Sequence, residues 1–294
     1  MNYFSTGYKN LFGVFMIAFR KIIQLRFPSV SKCWPLILVL TLNACDSSVT
    51  LMQLCKENED ICNDFGQDSW CKTQRNQVIF ARINVKDKNL DVDKYSLLVA
   101  YEGYIKCMSL ASQIQHIKLK EKTTLRKDNL IKAQANLSLL TEQSAQAKHP
   151  HLLYYHWSRE GNTLALAEFL KLEGTPILEN STAQLHLATY YIKRDRNKTL
   201  GLLYRALELH QPGTELPAEI LQTLATIFTQ KKQYKQAYIW LRIYQLLQDK
   251  PDQRIEANLK NYQQAKSLDA KFLDKVARTT FAKITAGQFT SPSY

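Results

Sequence analysis

From residue 49 to about residue 278, apolar positions recur every three or four residues, the period of amphipathic helices. Tyr95, Leu98, Tyr101, Ile105, Met108 and Ala111 make one such stripe, and Leu130, Ile131, Ala133, Leu137, Leu139 and Leu140 another. Only the short run Val78-Ile79-Phe80 is ambiguous with a strand. Seven glycines follow Cys45, all isolated, which leaves no glycine-rich phosphate loop and few sharp β turns. The pattern predicts an all-α body. It opens with helices over 49–64 and 68–82, separated by Phe65-Gly66-Gln67.

From about residue 150 the helices come in pairs of similar length. Leu187-Ala188, Tyr191, Leu200, Tyr204 and Leu207 are followed by Leu224-Ala225, Phe228, Ala237, Leu241 and Tyr244 in a similar arrangement. Ala188 and Ala225 lie 37 positions apart (225 − 188), close to the 34 of a tetratricopeptide repeat. Small residues at 188, 225 and 237 let paired helices approach, while large ones at 191, 204, 228 and 241 fill the gap to the next pair. The polar turns are Arg194-Asp195-Arg196-Asn197-Lys198 and Gln230-Lys231-Lys232-Gln233, and Pro212, Gly213 and Pro217 punctuate the join. On these residues the chain resembles tetratricopeptide and Sel-one-like helical repeats. The resemblance implies antiparallel helix pairs stacked as a solenoid. Gln184 and Leu221 stand where the tetratricopeptide pattern prefers Trp, and Leu200 replaces a small residue. A degenerate unit is expected before these (152–159 and 163–172) and a fourth after them (253–265 and 268–278). The rival architecture is a non-repetitive helical bundle. The stretch 279–294 loses the spacing and is expected to be a flexible tail.

The pattern ahead of the body is different. Arg20, Lys21, Arg26 and Lys32 precede an apolar run, Trp34 to Leu42, that ends in Leu42-Asn43-Ala44-Cys45. A basic segment, an apolar core and small residues before a cleavage point describe a secretory signal. Its ending resembles the lipobox of bacterial lipoproteins, which implies that Cys45 is lipidated and becomes the first residue of the exported protein. The apolar run is far shorter than the roughly 20 residues of a spanning helix. A leader of 44 residues is long, and a start at Met16 would give the ordinary length. An organellar transit peptide is the other reading of residues 1–44, and it leaves Leu-Asn-Ala-Cys unexplained. Asp46 resembles the signal that retains lipoproteins in the inner membrane, so its periplasmic face is favoured over the outer membrane.

Charge changes this picture little. The chain carries a formal +13, but five of its 39 Lys and Arg precede Cys45, leaving 34 against 26 acidic residues. The densest group is Lys118, Lys120, Lys122, Arg126, Lys127 and Lys132, interrupted by Glu121 and Asp128. It reads as a solvated helix face, with contact to anionic lipid headgroups as the alternative. Nucleic acid, whose binders concentrate charge and stacking aromatics on one element, is not expected as a partner.

Cys55, Cys62, Cys71 and Cys107 fit an exported body with two disulfides. Their spacing lacks the paired C-x₂-C of common zinc sites. Cys62 at the end of one helix and Cys71 at the start of the next predict a Cys62–Cys71 bond, leaving Cys55–Cys107. His149, His151 and His156 lie within eight residues, but only Glu160 is near enough to complete a ligand set; no metal is expected. Glu57, Glu59 and Asp60 read as an exposed acidic face, and no G-x-S-x-G, H-E-x-x-H or Walker loop occurs. Dense aromatics (Tyr154, Tyr155, Trp157, Tyr190, Tyr191, Tyr204, Tyr234, Tyr238, Trp240, Tyr244) fill the repeats, mostly as core, with some free to line a concave surface.

The sequence therefore predicts a leader (1–44), a cysteine-containing helical region (45–148), a helical-repeat region (149–278) and a tail (279–294). The expected role is a non-catalytic scaffold or adaptor for another envelope protein, held at the membrane through Cys45, with no catalytic residue, cofactor, metal or small-molecule substrate. The competing readings are an all-α enzyme or accessory factor of envelope metabolism, and a soluble repeat protein if the leader is misread. The chain as a whole also resembles uncharacterised bacterial lipoproteins that carry such helices.

Overall fold

A computed structural model describes residues 50–248 and 250–292, and the helical period of the sequence is realised throughout them. Among these residues there are thirteen α-helices and no strand. In chain order they are α1 (Leu51–Glu57), α2 (Glu59–Asn63), α3 (Lys72–Lys88), α4 (Asp91–Ala111), α5 (Lys120–Gln143), α6 (Pro150–Glu160), α7 (Thr163–Lys171), α8 (Ser181–Tyr191), α9 (Arg196–Glu208), α10 (Ala218–Gln230), α11 (Tyr234–Leu247), α12 (Gln253–Lys266) and α13 (Ala270–Thr285). Val78 and Ile79 lie inside α3, both fully buried, so the ambiguous run is helical.

The first expected helix is broken. Asn58 sits at φ −135° and ψ 48° between α1 and α2, and its Nδ2 donates to Leu54 O at 3.1 Å. This break corrects the disulfide pairing. In one straight helix Cys55 and Cys62 would stand about 10 Å apart along the axis. The turn at Asn58 instead brings their Cα atoms to 5.7 Å, and the bond is Cys55–Cys62. Cys71, fully buried at the N-cap of α3, then bonds Cys107 on α4 rather than Cys62. The expectation failed because it took 49–64 as one unbroken helix.

Helices α3, α4 and α5 pack around Phe65, Val78, Leu97, Tyr104, Met108 and Ala133. Leu98, Leu152 and Tyr155, with Leu137 and Leu140 against them, carry that packing from α4 and α5 into α6. The later helices pair as α6 with α7, α8 with α9 and α10 with α11. Each turn is fixed locally. Asn162, Asn180 and Asp195 accept hydrogen bonds from backbone N–H groups at the starts of α7, α8 and α9. Ala188, Ala225 and Ala237 are buried in the contact between helices, and Tyr204 and Phe228 fill the space beside them. Gln184, in the position where Trp was absent, is buried, and its Nε2 donates to Leu178 O at 2.9 Å.

Helices α12 and α13 do not simply repeat this pairing. Both close onto α11, with Ile255, Leu259 and Leu273 around Tyr238. Arg242 of α11 reaches both, donating Nη1 to Glu256 at 2.8 Å and Nε to Asp274 at 2.9 Å.

The expected flexible tail is also corrected for its described part. Helix α13 runs on to Thr285, and Phe289 is buried against Tyr204 and Trp240. A single aromatic anchor after a turn at Gly287 carries no helical period, so periodicity alone missed it.

Candidate functional site

The three histidines close in sequence part company in space. His149 Nδ1 accepts from His151 N at 3.4 Å, at the start of α6, and His156 Nε2 meets Ser144 Oγ at 3.2 Å. His151 turns inward to His186 of α8, with their Nδ1 atoms 3.4 Å apart. His186 Nε2 lies 3.0 Å from the hydroxyl of Tyr95 on α4, and Tyr154 stacks on its ring at 3.7 Å. Loss of water, then the charge of His149, pushes His151 from 6.5 down to about 4. Burial, then the charges of His151 and Arg159, hold His186 well below its ordinary value. One neutral arrangement satisfies all three polar groups: Nδ1 of His186 donates to His151 while its Nε2 accepts from Tyr95. This is a largely buried joint between α4, α6 and α8. Among the described residues no three His, Cys, Asp or Glu side chains are grouped to hold a metal ion.

The open feature is a cleft of about 740 Å³ between the end of α8, the start of α9 and the outer face of α10. Lys193, Arg194 and Arg196 form one wall, and Gln222, Thr226 and Gln230 the other, over Ile192 and Ile227. No carboxylate lines it. Asp195, between the cations in sequence, turns away to cap α9, accepting from Lys198 N at 2.9 Å. The cleft also receives the positive end of α9, whose first residue is Arg196. Arg194 is fixed by the end of α8: Nη1 donates to Tyr190 O at 2.8 Å, and the guanidinium lies 4.2 Å over the Tyr190 ring. Tyr190 in turn contacts Trp157 and Tyr191 edge-on, and Trp157 contacts Tyr154. These aromatics are only partly buried, whereas Tyr155, Tyr204, Tyr238 and Trp240 are core. In sequence the cations read as an ordinary polar turn. The signal lay in Asp195, an N-cap residue whose carboxylate is taken up by α9.

A second cleft, about 880 Å³, opens beside the Cys55–Cys62 bond, lined among others by Thr50, Met52, Lys72 and Lys122. Under it Arg75 donates to the carbonyls of Phe65 (3.0 Å) and Cys62. Glu57, Glu59 and Asp60 are exposed, as expected for a solvated face. Cys45 lies outside the described residues. No helix among the described residues is long and apolar enough to cross a membrane.

A family model described as "Protein of unknown function (DUF2989)" matches residues 42–242. No curated protein and no solved structure matches the chain. The chain belongs to the DUF2989 family.

Proposed function

For this member of the DUF2989 family, we propose a lipid-anchored envelope protein that works without catalysis, as an adaptor for another envelope protein. Cys45 is the anchoring residue in this reading, and the periplasmic face of the inner membrane its location. The observation that carries the adaptor role is the cleft walled by Lys193, Arg194 and Arg196 with no carboxylate in its lining. Such a cleft suits an extended acidic segment, which would meet cations on one side and amide and hydroxyl groups on the other. The partly exposed ridge of Tyr190, Tyr191 and Trp157 beside it offers rigid apolar area of the kind that anchors protein interfaces. The two disulfides support export, since such bonds persist in oxidising compartments.

Anchoring is tested by metabolic labelling with a fatty acid in a Gram-negative host, comparing the native chain with Cys45→Ala. The expected result is label on the native chain in the membrane fraction and none on the variant. A native chain that is unlabelled and soluble overturns the anchor and the location together.

A further inference from the structure

The end of the domain where Thr50 enters carries a second surface with its own chemistry. Thr50 and Met52 line one cleft with Lys72 and Lys122, so the first turn of α1, the start of α3 and the start of α5 share that end. The loop before α5 is fastened to the same place, since His116 N donates to Thr123 Oγ1 at 3.1 Å. Trp70 stands beside it, its backbone N–H donating to Asp68 Oδ1 at 2.7 Å. Its ring lies 5.7 Å from the Arg126 guanidinium, one turn past Lys122.

The apolar side chains here are turned out to solvent: Ile117 is 91% exposed, Met52 77%, Trp70 61% and Leu119 50%. Around them are Lys72, Lys118, Lys120 and Lys122, none in an ion-pair contact with a carboxylate, and Lys122 acts on the buried Asp68 only through its charge. Glu121 is the exposed acidic residue among them, while Asp68 in the same cleft is buried and taken up by Arg126. The acidic residues of α1 and α2 belong to the other end of α3. Asn58, flanked by Glu57 and Glu59, accepts from Lys86 Nζ at 2.7 Å. Lys86 lies fourteen residues along that helix from Lys72, or about 21 Å.

Exposed tryptophan and aliphatic tips among unpaired lysines are what a water–lipid interface accommodates: amphipathic ring at headgroup depth, apolar tips below, ammonium groups at anionic phosphates. Trp70 is also presented rigidly, because its neighbour Asp68 is held in a buried ion pair with Arg126. We infer that this end, bearing Met52, Trp70, Ile117, Leu119 and the lysines around them, is a docking surface for an anionic phospholipid bilayer. The orientation follows from the anchoring reading and rests on it. Thr50 lies five positions after Cys45, a reach of at most about 18 Å, so a lipid on Cys45 would hold this face close to the membrane.

The test uses the exported form from residue 46 onward, so that neither an acyl chain nor the apolar leader contributes. Vesicles of phosphatidylcholine, with and without phosphatidylglycerol, contain lipid brominated near the headgroup, and the Trp70 signal is the difference from a matched Trp70→Phe chain. The expected result is quenching of Trp70 on phosphatidylglycerol vesicles. It should be lost without that lipid and lost in Lys118→Gln/Lys120→Gln/Lys122→Gln. Unquenched Trp70 on anionic vesicles overturns the inference even if the chain sediments with them, because the chain is then held with this face turned away. Quenching that survives the triple substitution overturns it as well. Fatty-acid labelling is read separately, so an absent anchor with quenched Trp70 refutes the anchoring alone. A labelled Cys45 with unquenched Trp70 refutes the docking face alone.

Discussion

Arg126 and Asp68 form a two-pronged ion pair almost sealed from solvent, with side-chain exposures of 2% and 0%. Nε donates to Oδ2 at 2.8 Å and Nη2 to Oδ1 at 3.3 Å, while Nη1 takes the carbonyl of Ala111 at 3.0 Å. The pair thus joins α5 to the end of α4 and to the loop before α3.

Removing one partner leaves a buried charge with no counterpart, which costs about 3–5 kcal/mol. Asp68→Ala is therefore expected to lower the urea midpoint sharply with little change in slope. Asp68→Leu with Arg126→Met should recover most of the loss, though not all, because Asp68 also holds the Trp70 N–H. Equal stability of the single and double variants would show that a stranded Arg126 charge is not what destabilises Asp68→Ala.

Acid separates two sets of groups. His151 and His186 are neutral in the fold with lowered pKa values, so as pH falls below 6.5 the unfolded chain takes protons that the native chain refuses. Stability should fall between pH 6.5 and 4, by on the order of 3 kcal/mol for His151 alone, given its shift to about 4. Asp68 adds nothing in that window. Burial would raise it, but hydrogen bonds from Arg126 and Trp70 and the charges of Arg126 and Lys122 outweigh that and leave it below 3.8, so its contribution is lost only at lower pH. Urea melts of His151→Gln across pH 4–7 should show a shallower slope than the native chain. An unchanged slope would mean that His151 takes up a proton inside the fold.

The two disulfides close loops of very different length, 36 and 7 residues apart in sequence. By loop entropy their removal costs about 4 and about 2 kcal/mol respectively. Cys71→Ala/Cys107→Ala should thus unfold at clearly lower urea than Cys55→Ala/Cys62→Ala. The pairing itself can be read by peptide mapping without reduction. A peptide joining Cys62 to Cys71 would contradict the break at Asn58.

Much of the fold was legible because helices announce themselves through period. The stripe on α4 and the matched residues around Ala188 and Ala225 needed no tertiary knowledge. What stayed hidden depended on a single residue's backbone or on distant partners. Asn58 breaks a helix that its neighbours favour, and that break alone decides the disulfides. His186 lies 35 residues from His151, so no local spacing marks their contact. The basic cleft needed α10 alongside the turn after α8, and the sequence showed only a polar turn.

That cleft makes a direct prediction about binding. A fluorescent peptide of alternating glutamate and glycine should bind the native chain, and binding should weaken with salt as screening shortens. Arg194→Glu/Arg196→Glu is expected to reduce affinity at least tenfold, since like charges now face the peptide. Both residues are exposed, so the melting temperature should barely move. Binding that is indifferent to the reversal, or to salt, would remove the charge argument for an acidic partner segment.

Phe289 gives the sharpest contrast between pattern and packing. Its ring lies 6.3 Å from Tyr204 and 6.2 Å from Trp240, centroid to centroid, in the largest core cluster of the paired helices. Gly287 makes the approach feasible: its φ of +65° suits glycine, and a Cβ there would stand 3.1 Å from the ring of Pro212. Beyond the ring, Ser291 N donates to Glu208 at 2.9 Å, fastening the segment to the end of α9. Deleting a buried phenyl group costs about 3–5 kcal/mol, or a melting temperature lower by about 6–15 °C in a domain of this size. Phe289→Ala and truncation after Gly287 should therefore destabilise alike, each read by calorimetry. Ser291→Ala should cost far less, because its backbone N–H still reaches Glu208. If truncation left the melting temperature unchanged, Phe289 would contribute nothing to the core, as the flexible tail over 279–294 that the sequence pattern suggests would require.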